Sequence, residues 1–270
     1  MESCLNNQAI EGVDWSAPWL EGFREIGMQI ASSADWRAAL NRQALSLQLC
    51  NHNHLPIQFV AQHELPSGAS YEAHISATGC VPTRDNLHDF FNALVWLTYP
   101  RIKAQLNGLQ AAQIARIGIG KSRGPSRDAA TLFDENAALL AVSDTPVGQE
   151  LVQALRSHQW NQVFIRQRAQ FKTHISVGLF GHAIMEKLVR PYKAITAHTL
   201  VCWVKPDFHH SSAAEQDAIL DRQIVSQLAS HQLLPGAFSP LPILGVPDWW
   251  PNQDIEFYAD TNVFRPQRQR

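Results

Sequence analysis

Two short polar pairs carry the chemistry this sequence can offer. His88 and Asn92, with Asp89 between them, stand four residues apart, and so do His182 and Glu186. On a helix, residues at that spacing share one face a single turn apart. An imidazole beside a carboxylate or amide in that arrangement is a general base with its orienting group, or two ligands for one metal ion. Neither pair is HExxH or another specific metal signature. Isolated pairs of this kind also cap helices or bond buried carbonyls. His198, inside a run that reads as a strand, is a third imidazole able to pass near them.

Two loop motifs compete for attention and lack their context. Ala115–Ser122, ARIGIGKS, fits the relaxed phosphate-loop string. That loop needs a buried strand before it and a helix beginning at its lysine, so that amides and helix dipole meet the phosphates. Here a polar amphipathic run precedes it, and Gly124–Pro125 interrupts any helix starting at Lys121. Gly120–Gly124, GKSRG, fits the nucleophile-elbow string, but the sequence singles out no partner acid and histidine for the required order. What remains is Ile117–Ser126 as a Gly-rich loop carrying Lys121 and Arg123, with Arg116 and Arg127 beside it. It reads as a solvated basic loop, or as a clamp for a phosphate or carboxylate.

The elements that must position these residues are mostly helices. Trp19, Phe23, Ile26 and Ile30, then Trp36, Leu40, Ala44 and Leu47, recur at helical spacing. Tyr71, Ala73, Ile75 and Ala77 alternate with polar residues, which predicts a half-buried strand. The clearest helix follows Asp85 as N-cap and presents Leu87, Phe90, Phe91, Leu94 and Leu97, until Pro100 ends or kinks it. Ile102, Leu106 and Leu109 mark the next helix. For RDAATLFDENAALLAV the alanines and the apolar spacing through Leu140 predict a helix, with a hairpin turning at Asp134–Asn136 as the competing reading. Thr145–Pro146 opens a helix through Arg156. His174–Phe180 reads as a strand, Ala183–Val189 as a short helix, Ile195–Val204 as a buried strand and Ser212–His231 as a long helix.

The fold class is therefore α+β: a helix-rich single domain over residues 1–270, with a small sheet and an irregular Pro/Trp-rich C-terminal segment. Apolar residues make up 45% and charged residues 17%, with eight Trp and twelve Phe, which excludes global disorder. The net charge of −2 gives no bulk pull toward nucleic acid or anionic lipid, so either partner would need a local patch. Cys4, Cys50, Cys80 and Cys202 form no CxxC pair, so unbridged thiols without structural zinc are expected. The N-terminus lacks the pattern of a signal peptide, and no apolar window is long enough to span a bilayer. A cytoplasmic protein is expected, with no cofactor, metal or oligomeric state indicated.

Several blocks in order resemble an uncharacterised bacterial family, domain of unknown function 3025. They are HDFFNALVWLTYP (His88–Pro100) with Lys103 and Asn107, RDAATLFDEN (Arg127–Asn136), FGHAIMEKLVRPYKAITAH (Phe180–His198) and PLPILGVPDWWP (Pro240–Pro251) followed by FYADTNVFRP. Ala137 stands where the family pattern has glycine, which favours the helix reading there. The resemblance brings no activity, but its blocks hold His88, Asp89, Asn92, Arg127, Asp128, Asp134, Glu135, His182, Glu186, Lys187 and His198. That mixture suits a catalytic cleft, and equally a buried polar network. The leading expectation is an enzyme for a small anionic or phosphorylated substrate. His88, Asp89, Asn92, His182 and Glu186 would form the catalytic group, with a His or carboxylate as general base. Arg127, Lys187, His198, Asp134 and Glu135 would surround the substrate, Arg127 or Lys187 holding the anion. The alternative is a protein- or RNA-binding module using the basic loop and an exposed aromatic C-terminal segment.

Overall fold

The computed structural model describes residues 10–118, 125–230 and 235–267. A 3-10 turn, Pro18–Phe23, leads into α1 (Arg24–Ala31) and α2 (Trp36–Ser46). Strand β1 (Gln58–Ala61), helix α3 (Tyr71–Thr78) and β2 (Cys80–Thr83) form a small parallel pair with its crossover helix. Next come α4 (Leu87–Thr98), α5 (Pro100–Ile117) and α6 (Pro125–Asn136). The main sheet begins at β3 (Ala137–Ser143), followed by α7 (Pro146–Arg156), α8 (Arg168–His174), β4 (Ile175–Leu179), α9 (His182–Leu188) and β5 (Thr196–Val204). Helix α10 (Ala213–Ser230), strand β6 (Ser239–Pro242) and α11 (Ile255–Ala259) complete it.

The main sheet has the order β4–β3–β5–β6. β3 runs parallel to β5, from Ala137 opposite His198 to Ser143 opposite Val204, and antiparallel to β4. All seven residues of β3 are buried, as befits a central strand covered on both faces. Helix α4 is buried continuously from Asp89 to Leu97, which explains why its sequence is apolar almost all round. Its N-cap is Asn86, whose side chain accepts from the Asp89 amide at 2.8 Å. Asp85, the residue expected to cap, instead pairs with Arg37. Pro100 starts α5 as its first residue, after the bend at Tyr99. Thr145 caps α7 as expected, accepting from Gly148 at 3.1 Å.

Two expectations are corrected. The alternating segment after Tyr71 is helix α3, closed by Gly79 in the left-handed region at φ 75°, and of its residues only Ile75 is fully buried. The helix expected to continue through Leu140 stops at Asn136. From Ala137 the chain is strand, because pairing with β4 and β5 satisfies its backbone while burying each side chain. No hairpin forms at Asp134–Asn136. Within residues 235–267 the C-terminal segment contributes β6, while Phe257, Tyr258 and Phe264 lie in the core instead of forming an exposed aromatic surface.

Candidate active site

Helix α4 and helix α9 bring their polar pairs face to face. Glu186 Oε2 lies 3.0 Å from His88 Nδ1, and His88 Nε2 lies 3.1 Å from His182 Nε2. The rings meet edge to face, with centroids 4.4 Å apart. Behind them Asp134, near the end of α6, places Oδ2 3.9 Å from His182 Nδ1. Its other oxygen accepts from Lys103 Nζ at 2.6 Å. The same ammonium donates to Asn92 Oδ1 at 2.8 Å and stands 5.5 Å above the Trp96 ring. Asn92 in turn donates to the Tyr71 hydroxyl at 3.1 Å. A chain of polar groups thus runs from the half-exposed Glu186–His88 edge to a buried Lys103–Asp134 ion pair.

Local sequence explains how the parts are held. Gly181 forms the N-cap of α9 and lies so close to the end of α6 that a Cβ there would meet Glu135 O at 2.4 Å and Asn136 N at 2.5 Å. That approach sets His182 beside Asp134. Lys103, Asn107 and Gln110 lie at helical spacing on α5 together with Ile102 and Leu106, and all five are buried. The sequence reading assigned no site role to Lys103, Tyr71 or Arg84. For Lys103 the available signal was a lysine on the apolar face of its helix, with two amides following it.

Burial governs the protonation of the inner histidine. Burial drives His182 down to about 4, with Lys103 and His88 adding to the effect and Asp134 opposing it. Burial works to raise the Asp134 carboxyl, but Lys103 and His182 outweigh it and hold the group below the usual carboxylate range. Hydrogen placement follows from the partners. A carboxylate can only accept, so His88 Nδ1 carries the hydrogen directed at Glu186. The Nε2 of neutral His88 therefore accepts, and His182 Nε2 donates to it. A protonated His88 would donate from Nε2 as well, which neutral His182 can accept only as its Nδ1–H tautomer. The pair can share a proton between its two Nε2 atoms, while His182 Nδ1 has no hydrogen-bond partner and stands 3.9 Å from Asp134.

Other expected residues take different places. Asp89 is buried and its carboxylate is taken up by Arg84, through the amide at 2.6 Å and the guanidinium at 3.0 and 2.9 Å. That clamp fixes the turn into α4 and leaves Asp89 with no hydrogen bond to the histidines. Asp134 is locked to Lys103 instead of standing free for a substrate. His198 is half-buried on β5, its Nδ1 has no hydrogen-bond partner, and among the described residues none joins it to the chain of polar groups. Glu135 is half-buried, and Lys187 is exposed with Asn136 Oδ1 3.4 Å from its ammonium. The Arg127 side chain lies outside the described residues, as do residues 119–124 of the expected Ile117–Ser126 basic loop and its two motif matches. Among the described residues no group of three or more His, Cys, Asp or Glu is arranged to hold a metal ion.

A depressed His182 makes a direct expectation. A buried histidine whose folded pKa lies below its unfolded value contributes full stability above about 6.5. It loses that contribution as pH falls toward 4, because the unfolded chain binds the proton first. Urea midpoints measured between those pH values should fall for the native chain and fall less for His182→Gln. Equal slopes for the two proteins would contradict the assignment.

Fold and site together define a helix-rich α+β protein with a histidine–carboxylate–lysine chain at its centre. The chain belongs to the family described as Protein of unknown function (DUF3025), which matches residues 57–268. No curated protein and no solved structure matches it.

Proposed function

We propose that this protein is an enzyme acting on a small anionic or phosphorylated substrate, with His88 as general acid and base at the mouth of the site. The observation that carries this reading is the hydrogen-bonded triple Glu186–His88–His182. Its outer imidazole is 30% exposed, whereas its inner one is buried against an ion pair. Glu186 accepts from His88 Nδ1 and orients the ring. His182, kept neutral by burial, holds the Nε2 edge of His88 in place through their hydrogen bond.

Cations for an anionic substrate stand beside this edge. The Arg84 guanidinium is 56% exposed, and it is held charged first by Asp89, with Glu186 adding to the effect. Lys187 follows Glu186 on the same helix and is exposed. Arg127 is a third candidate from the sequence. The same reading takes residues 1–270 as one domain, supported by a continuous apolar core that includes both Ile10 and Phe264. It places the protein in the cytoplasm, supported by the free thiols of Cys50, Cys80 and Cys202. No helix among the described residues is long and apolar enough to cross a membrane.

The test is a panel of small phosphate monoesters and carboxylates, screened by thermal shift and then for turnover. On the substrate found, His88→Ala should lower kcat/KM about 10²–10⁴-fold. Glu186→Gln should lower it less and displace the pH–rate profile. Turnover that survives His88→Ala undiminished, or a complete panel without turnover, would sink the proposal.

A further inference from the structure

Tyr99, the residue between α4 and α5, belongs to a second cavity of about 390 Å³ that shares no lining residue with the histidine site. Its walls carry two acids, Glu21 and Asp217. Among the described residues Lys172 is its only basic side chain, and that ammonium is already paired with Asp248 at 2.7 Å. Asp217 is 9% exposed, and its carboxylate is half satisfied. Tyr99 donates to Oδ1 at 2.5 Å, whereas Oδ2 has no hydrogen-bond partner. Asp221, one turn further along α10, differs in being well supplied: it accepts from the Ile102 amide at 2.9 Å and the Arg101 amide at 3.2 Å. Oδ2 is closed off beside Gly22, so the carboxylate lines the cavity with an uncompensated charge and not with an open hydrogen-bond position. The half-buried rings of Trp19 and Trp249 also line the cavity, with centroids 6.2 Å apart and planes inclined by 59°.

We propose that this cavity binds a small organic ammonium ion, its charge set against Asp217 and Glu21 and its apolar body against Trp19 and Trp249. The chemistry favours a cation over the alternatives. An anion would meet two acids and a lysine already neutralised. A neutral alcohol would supply a hydrogen bond but no charge. Indole faces attract ammonium groups through their quadrupole, and the volume suits a compact ligand. The state of the acid agrees. Burial, opposed by the Tyr99 hydrogen bond and reinforced by Asp221 and Glu21, pushes Asp217 up to about 6, so a cation beside it relieves an uncompensated charge.

Isothermal titration with phenethylammonium, 2-phenylethanol and phenylacetate separates these cases, because the three share a ring and differ in charge. Phenethylammonium should bind saturably and at least about tenfold tighter than the alcohol, the scale of one cation–π or charge-assisted contact. Asp217→Asn, which keeps the side chain's shape, should abolish that advantage. Trp249→Ala, at a half-buried position, should weaken binding by about tenfold without loss of folding. His88→Ala should leave binding unchanged, so failure here is distinguishable from failure of the enzymatic reading. Equal binding of the alcohol, tighter binding of phenylacetate, full affinity in both Asp217→Asn and Trp249→Ala, or no binding of any probe at millimolar concentration would overturn the proposal.

Discussion

Replacing Lys103 by methionine is expected to lower the free energy of unfolding by about 3–5 kcal/mol, the usual cost of removing one partner from a buried ion pair. The lysine is 5% exposed and Asp134 is 9% exposed, so no bulk water stands ready to replace the lost ammonium. The substitution leaves a carboxylate buried and removes the donor from Asn92 Oδ1, two penalties from one change. Methionine fills much of the same volume, so the effect is electrostatic and not a cavity. Adding Asp134→Leu removes the stranded charge and should recover most of the loss. Urea unfolding at constant slope measures both. A single variant within about 1 kcal/mol of the native chain would mean that solvent reaches the pair.

Gly181→Ala should be the small change that most disturbs the approach of α6 to α9 at the histidine site. The added methyl would lie 2.4–2.5 Å from three backbone atoms of Glu135, Asn136 and Ala137, none of which can rotate aside as a side chain could. The φ of Gly181, −64°, is ordinary, so the cost comes from contact and not from backbone strain. Overpacking of this kind costs about 1–3 kcal/mol, and rigid neighbours place this case at the upper end. The end of α6 and the start of α9 must part, which lengthens the Asp134–His182 approach as well. Thermal unfolding and the chemical shifts of the His88 and His182 rings report the two effects. Unchanged ring shifts would show that Gly181 does not position the site.

The polar pairs were legible because helical spacing is local. His88 with Asn92, and His182 with Glu186, could be read from a few residues each. That His88 would meet Glu186 across 98 positions could not, since the meeting depends on how α4 and α9 pack. Lys103 was present in the family blocks without a role. Its burial is visible only when α5 is read as a face, where lysine falls among Ile102, Leu106 and Asn107. The segment from Tyr71 to Ala77 satisfied the period of a strand, yet Tyr71 and Ile75 equally satisfy that of a helix. The decisive mark was Gly79, a terminating glycine. Ala137–Ser143 misled in the opposite direction: alanine and leucine favour helix in isolation, and the strand exists because two distant segments clamp it on either side.

That dependence has a consequence for how the protein is made. The seven apolar-rich residues of β3 leave the ribosome well before the residues that will cover them, because Ala137 pairs with His198, about 60 positions later. At about 5–20 residues per second the delay lasts several seconds. During that interval a short, uncharged, strand-forming segment has no permanent neighbour, which is the condition under which nascent chains associate with one another. The preceding helices can shelter it, and α6 is joined to it without a linker. Synthesis of β5 is therefore the committing event, and chains truncated before Thr196 should accumulate as aggregates and not as folded fragments.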